Sequence, residues 1–298
     1  MRFNLVLANQ SASRLQELED MLRPLLVGLR AAGHSVVAGA HDYKMAPVIN
    51  LIVEDFTDAG FVSALTQARE QTGGAFRFGV ICPVNPAALS AERRAGLRSL
   101  LPSSDFVLTL AGIEIGPEFC PSGRVVPLTY GFDEKLVGPR LITDPGLRDI
   151  DVVIYSPACD RVNHLGERLA KANIGHLTVR PGAMPDYLVT DLLSRAKVVA
   201  VIDDQPATGA LGPRIVKAVC NGALVVTEPP TPAGEWHAGA LIHSLYDDIP
   251  AQCRTLVAEG QYAKLGLDAL DRFRSGVSMR ECITNALNLP PLAALRGS

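Results

Sequence analysis

Short runs of apolar residues alternate along the chain with longer segments in which apolar residues recur at helical spacing. In the first half the apolar runs are FNLVLAN (3–9), HSVVAG (34–39), VINLIV (48–53), FRFGVIC (76–82) and FVLTLA (106–111). Between the first two runs, Leu15, Leu18, Leu22, Leu25 and Leu29 fall three or four residues apart, which predicts a helix. This alternation is typical of βαβ units, in which helices cover both faces of a parallel sheet.

The alternation stops at residues 121–149 and then starts again. This middle segment is rich in proline and glycine and has no sustained period, so it predicts a linker. Beyond it the strand-like runs are DVVIYS (151–156), HLTVR (176–180), KVVAVID (197–203) and ALVVTE (223–228). The sequence therefore predicts two doubly wound α/β domains, residues 1–124 and 150–298, joined by a linker at 125–149. The second domain ends in a helical tail.

Composition and charge argue against several classes of protein. The 298 residues are 48% hydrophobic and 20% charged, and the net charge of −3 provides no basic face for nucleic acid. No apolar run reaches the length of about 18 residues that a membrane span needs, and no secretory signal pattern is present. The six cysteines are far apart and lack metal-ligand spacing. We expect a cytoplasmic protein with reduced thiols and no bound metal.

The segment GPRIVKAVCNGALVVTE (212–228) carries the strongest chemical signal. Gly212 is the predicted N-cap of a helix, and Arg214 and Lys217 are neighbours on one face of it. A helix that begins after a loop of small residues is a favourable place for an anion. Together with Thr208 and Gly209 of that loop, these residues predict a diphosphate site. The alternative is that both cations belong to a solvated surface, since neither a dinucleotide fingerprint nor a P-loop is present.

The order of these segments resembles the glycosyltransferases of the GT-B class, and among them the bacterial glycosyltransferase-like proteins named after the spore protein CgeB. In that family the segment has the pattern GxRxxEAxAxGAxxxT, which residues 212–227 follow except at Lys217 and Cys220. The segments VVPLTYGFDEKL (125–136), DVVIYSPACDRVNHLGERLAKANI (151–174) and AMPDYLVTDLLSRAKVVAVID (183–203) are similar to the family in the same order. The resemblance implies two Rossmann-like domains facing a cleft, with the nucleotide of an activated sugar in the second domain.

The resemblance also implies roles for individual residues. Arg214 and the loop Thr208–Gly212 would lie near the diphosphate, Arg161 would approach the phosphate, and Glu228 would lie near the nucleotide. The departure that bears on function is Lys217, which stands where the family usually has a glutamate that contacts the ribose. An ammonium group donates hydrogen bonds but cannot accept them. Lys217 therefore leaves three alternatives: a phosphate contact, a different donor, or loss of transfer activity.

Candidates for a general base come directly after two predicted strands of the first domain. His41 and Asp42 come after the second strand, and Glu54 and Asp55 come after the third. Carboxyl ends of parallel strands face the ligand crevice in such folds. A histidine or carboxylate there can remove the acceptor proton in an inverting transfer. A retaining enzyme needs no such base, and the sequence leaves both courses open.

These features predict a glycosyltransferase of the hexosyltransferase type. It would move a sugar from a nucleotide-sugar donor to an unidentified acceptor, which is a glycan, a protein or a lipid. Two alternatives remain: a non-catalytic relative that serves as a binding or scaffolding module, and a sugar-nucleotide epimerase. We expect no cofactor besides the donor, no nucleic-acid partner and no membrane span. The apolar tail segment LPPLAAL (289–295) is compatible with a homodimer.

Overall fold

The structure is a computed structural model of the 298-residue chain. It describes all residues except 8–11, 41–42, 46, 54–58, 74, 83–84, 87–88, 111–112, 203–210, 230–239 and 297–298. Within the described residues, the chain forms two parallel β-sheets, each covered by helices, and the predicted α/β class is confirmed.

The first sheet has the strand order β2-β1-β3-β4-β5-β6 among the described residues, and every neighbouring pair is parallel. Its strands are β1 (Arg2–Val6), β2 (Ser35–Ala40), β3 (Ile49–Val53), β4 (Arg77–Cys82), β5 (Phe106–Leu110) and β6 (Val125–Leu128). The helices between them are α1 (Ala12–Ala31), α2 (Ala59–Gln71) and α3 (Ala91–Leu100). All five strands expected from the sequence of this half are present.

The second sheet has the order β11-β10-β9-β7-β8 and is also parallel throughout the described residues. Its strands are β7 (Ile150–Tyr155), β8 (His176–Val179), β9 (Ala196–Val201), β10 (Leu224–Thr227) and β11 (Ile242–His243). The helices of this half are α4 (Asp160–Lys171), α5 (Asp186–Arg195), α6 (Leu211–Cys220), α7 (Ile249–Glu259) and α8 (Tyr262–Ser275). The chain ends with α9 (Met279–Asn288) and α10 (Pro290–Ala293).

Successive strand residues are buried on opposite faces, which explains the continuous apolar runs. In β3, Leu51 packs in the same cluster as Leu25 of α1, while Ile52 packs with Leu65 of α2 on the other face. The cluster on the α1 face continues into the second domain, where it includes Ile215 of α6. The α1 side of the first sheet and the α6 side of the second sheet therefore share one apolar core.

Two elements lie outside the domain boundaries drawn from the sequence. Residues 125–128, assigned there to the linker, form β6 and extend the first sheet beside β5. Pro127 is accommodated because β6 is an edge strand, where one ladder hydrogen bond can be absent.

The tail helix α9 packs on the first domain, although the sequence boundary placed it in the second. A Cβ atom added at Gly28 of α1 would stand 2.7 Å from side-chain atoms of both Ile283 and Met279. A backbone hydrogen bond also links α9 to the segment after β6, since the Met279 amide donates to the Phe132 carbonyl at 2.7 Å. Helix α9 thus crosses back over the first domain. Among the described residues, no helix combines the length and apolar character that a membrane crossing requires.

Candidate functional site

Helix α6 begins at the carboxyl edge of the second sheet. It starts at Leu211, so Gly212 is the second residue of the helix rather than its N-cap as predicted from the sequence. Gly222 has a φ of +68° just beyond the last residue, Cys220, and this left-handed conformation ends the helix. Arg214 in the first turn contacts Ile202, the residue after β9, so this turn lies at the carboxyl end of β9, where parallel α/β sheets bind ligands.

Arg214 lies in this first turn with its guanidinium almost fully buried. The side chain is 5% exposed, and its Nη1 atom lies 3.4 Å from the carbonyl oxygen of Ile202, the residue after β9. Ser156, the residue after β7, fixes the same residue: its hydroxyl donates to the Ile202 carbonyl at 2.8 Å and accepts from the Ile202 amide at 3.0 Å. The cationic group thus stands where two central strands end.

Lys217, one turn further along α6, pairs with two carboxylates. Its Nζ atom lies 2.6 Å from Oδ1 of Asp20 in α1, and it also contacts Oδ1 of Asp186 in α5. Burial alone would lower the pKa of Lys217, but the two carboxylates outweigh it and hold this pKa above its usual value. The lysine charge is therefore neutralised within the protein, and one of its partners belongs to the other domain.

Two further contacts involve the carboxylates that bind Lys217. Tyr155, the last residue of β7, donates its hydroxyl to Oδ2 of Asp20, and Arg23 Nη1 lies 2.9 Å from Oδ2 of Asp186. Burial, and then the Asp20 charge, raises the pKa of Tyr155, so the phenol keeps its proton. We call Asp20, Arg23, Tyr155, Asp186 and Lys217 the interdomain cluster. It joins α1 of the first domain to β7, α5 and α6 of the second.

Arg161 and Glu228 form a second ion pair at the same edge of the sheet. Nη2 of Arg161, in the first turn of α4, lies 2.7 and 2.8 Å from the two carboxylate oxygens of Glu228, the residue after β10. The Tyr246 ring stacks on the guanidinium with 4.4 Å between Cζ and the ring centroid. Hydrogen bonding to Glu228 raises the pKa of Arg161. The structure therefore brings these two predicted residues together, with the carboxylate bound to the arginine.

Several predicted site residues lie outside the described part of the chain. They are the candidate bases His41, Asp42, Glu54 and Asp55 and the loop residues Thr208 and Gly209. Their proposed roles therefore stay predictions. Among the residues that the structure does describe, no group of three or more His, Cys, Asp or Glu side chains is arranged to hold a metal ion.

The sequence analysis did not single out Asp20, Tyr155 or Asp186, nor Tyr130, whose ring lies against the first turn of α6. The Asp20–Lys217 pair joins positions 197 residues apart, so no local sequence pattern predicts it. The only available signal was Lys217 itself. A buried lysine needs a carboxylate partner, and Lys217 lies in a helix made largely of apolar residues.

Solved structures share this two-domain fold over nearly the whole chain. An alpha-glucosyltransferase in complex with UDP-glucose and DNA containing an abasic site has a TM-score of 0.65 at 9% identity, covering 96% of this chain and 98% of that chain. An α1,3-fucosyltransferase has a TM-score of 0.52 at 8% identity, covering 100% of this chain and 90% of that chain. A protein assigned as a UDP-N-acetylglucosamine 2-epimerase from Listeria monocytogenes has a TM-score of 0.50 at 10% identity, covering 96% of this chain and 94% of that chain.

These similarities define the architecture. The chain has the GT-B fold, in which two parallel α/β domains face each other, as the sequence predicted. No family model matches the sequence, and no curated protein matches it. At identities this low the likeness shows the fold alone, and the chemistry has to be argued from the site.

Proposed function

We propose that the protein binds a nucleotide sugar at the first turn of α6 and transfers the sugar to an acceptor held by the first domain. The observation that carries this proposal is the position of Arg214. Its buried guanidinium stands at the carboxyl edge of a parallel sheet beside a helix start, in a chain that has the GT-B fold from end to end. The finer assignment to the CgeB-like proteins rests on the segment at residues 212–227.

The proposed chemistry is stabilisation of a leaving diphosphate. Bond cleavage at the sugar carbon leaves negative charge on the diphosphate, which the Arg214 guanidinium and the amides of Leu211 and Gly212 would stabilise. Arg161 would donate hydrogen bonds to the phosphate at the same edge, with Glu228 orienting its guanidinium and balancing its charge. His41, Asp42, Glu54 and Asp55 stay the proposed bases for the acceptor hydroxyl. The proposal includes no metal and no cofactor besides the donor.

Lys217 takes a different role in this proposal from the phosphate contact that the sequence suggested. Its ammonium already has Asp20 and Asp186 as partners and is 13% exposed. A phosphate would have to compete with both carboxylates for it. We assign Lys217 to the contact between α1 and α6, so that it holds the first turn of α6 in place and does not itself bind the donor.

A non-catalytic binding module is the second candidate function. The observation that favours it is the engagement of Lys217 with two carboxylates, because the glutamate expected there from the resemblance is missing and the lysine that replaces it is already paired. Such a protein would bind a nucleotide or nucleotide sugar without turning it over. The choice between the two functions therefore depends on turnover and not on binding.

A donor screen tests the proposal. The protein is heated with UDP, dTDP, GDP and ADP and with UDP-glucose, UDP-N-acetylglucosamine and GDP-mannose, and the unfolding midpoint is recorded. A ligand at a hundredfold excess over its Kd stabilises the native state by about 2.7 kcal/mol. Products of the stabilising donor are then identified by mass spectrometry and proton NMR. Release of nucleoside diphosphate together with a glycosylated acceptor or free sugar supports transfer. A nucleotide sugar that stays intact but has one sugar carbon inverted indicates an epimerase. Stabilisation without turnover indicates the binding module.

A further inference from the structure

Tyr130 is a buried tyrosine whose hydroxyl has no hydrogen-bond partner among the described residues. It lies two residues beyond the end of β6, its side chain is 5% exposed, and its oxygen is screened from solvent without accepting or donating a hydrogen bond in the structure. Buried hydroxyls in native proteins are normally paired, and an unpaired one is unfavourable for the free protein. An unpaired group that a fold retains points to a partner that binds later.

The ring of Tyr130 lies against the first turn of α6. A Cβ atom at Gly212 would be 3.7 Å from Cδ2 and 3.8 Å from Cε2 of the ring. The hydroxyl is attached to the carbon next to Cε2, so it lies near the first turn of the helix. The same turn holds Arg214 and the helix amides that lack partners within α6. Two independent features, a helix start and an unpaired buried hydroxyl, therefore meet at one place.

The hydroxyl of Tyr130 is a hydrogen-bond donor at physiological pH. Burial raises its pKa well above the ordinary value, and the nearby charge of Asp20 adds to the effect. Asp20 is not its acceptor, because the Tyr130 hydroxyl forms no hydrogen bond with any described residue, and the Asp20 carboxylate binds Lys217 and Tyr155 instead. A protonated phenol at a helix start needs an acceptor oxygen.

We infer that the Tyr130 hydroxyl donates a hydrogen bond to an oxygen of the ligand's diphosphate at the first turn of α6. This inference rests on the proposed function and deepens it, because it adds a binding residue from the chain segment between the two domains. Tyr130 acts here as a binding residue for the diphosphate. It takes no part in proton transfer, because its proton stays on the phenol.

The variant Tyr130→Phe removes the hydroxyl and keeps the ring. Because the hydroxyl has no partner within the described part of the free protein, we expect the unfolding midpoint without ligand to stay the same or to rise. We expect the Kd of UDP, dTDP, GDP or ADP, whichever the wild type binds, to increase about tenfold, since a hydrogen bond to a charged group is lost. The matched control is Tyr262→Phe. The Tyr262 hydroxyl belongs to α8 of the second domain and lies 3.5 Å from the Pro145 carbonyl oxygen. The Kd of this control variant should equal that of the wild type.

Isothermal titration calorimetry separates the outcomes. A Kd for Tyr130→Phe within twofold of the wild-type value overturns the inference and leaves the proposed function standing. An equal loss of affinity for the nucleoside that lacks phosphates also overturns it, because the hydroxyl would then contact base or ribose. Absence of binding by the wild type to all four nucleotides overturns the proposed function, and the inference with it.

Discussion

The ammonium of Lys217 lies 2.6 Å from the carboxylate of Asp20, and this pair connects α6 of the second domain with α1 of the first. The side chains are 13% and 6% exposed, so the pair is shielded from water. Its attraction is screened far less than that of a surface pair. Lys217 therefore has a structural role, since it connects α6 to the first domain.

Replacing Lys217 with methionine should strongly destabilise the protein. The change removes the cation from the buried carboxylate of Asp20 and leaves Asp186 with Arg23 alone, and removing one partner of a buried pair costs about 3 kcal/mol or more. Urea unfolding followed by circular dichroism measures the loss. The control is Lys197→Met, which breaks a more exposed pair with Asp151 and should cost about 1 kcal/mol or less. Equal costs for the two variants would contradict the assignment of Lys217 to a buried interdomain pair.

Glu19, next to the interdomain cluster, should make stability depend on pH. Partial burial, and then the neighbouring charge of Asp186, raises its pKa above the ordinary 4.5. The folded protein therefore keeps this proton at pH values where the unfolded chain has lost it, and stability falls as pH rises from the unfolded pKa through the folded one. Glu19→Gln removes this loss of stability, because glutamine does not titrate. The unfolding midpoint of Glu19→Gln minus that of the wild type should therefore be larger at about pH 7.5 than at about pH 4.

Glu281 provides a control of opposite sign for this pH dependence. Its carboxylate accepts from the backbone amide of Ser278 at 2.9 Å, and this hydrogen bond lowers the pKa of Glu281. The stabilisation is present above the unfolded pKa and is lost as pH falls through the folded one. Glu281→Gln should therefore lower the midpoint at neutral pH and have less effect in acid. A pH-independent difference between Glu19→Gln and the wild type would refute the first of these two predictions.

The contact between α1 and α9 predicts that Gly28 tolerates no large side chain. Any side chain larger than glycine's meets Ile283 and Met279 across the helix pair. Gly28→Leu should overpack this contact and cost about 1–3 kcal/mol, whereas Arg30→Leu, on the exposed side of the same helix, should change stability by about 0.5 kcal/mol or less. Urea midpoints compare the two variants. A neutral Gly28→Leu would show that α9 does not pack on α1 in solution.

The alternation of apolar runs with helical segments was sufficient to predict the fold class, because parallel strands that are buried on both faces have continuous apolar sequences. β3 and β9 are examples: their predicted and observed bounds differ by no more than two residues. β6 was not found, since a four-residue edge strand containing Pro127 looks like a loop. The return of α9 to the first domain is also hidden, because helix packing between distant segments has no local pattern.

The candidate site was only partly predictable. Arg214 could be found because its position in a short helix after a small-residue loop is a local feature. Lys217 was singled out for the same reason, but its partners Asp20 and Asp186 lie in other helices and change its role. Tyr130 lay in a segment whose composition predicted a linker, so its place beside α6 could come only from the three-dimensional structure.

The measurement that tests the central claim most directly is the affinity of a nucleoside diphosphate for wild-type protein and for Arg214→Met. Methionine approximates the aliphatic part of the arginine, and a ligand-free unfolding midpoint verifies that the variant folds. Loss of a charged hydrogen bond to phosphate should raise the Kd at least about tenfold, while Arg254→Met, an exposed arginine of α7, should leave it unchanged. A Kd for Arg214→Met equal to that of the wild type would contradict a diphosphate site at the first turn of α6.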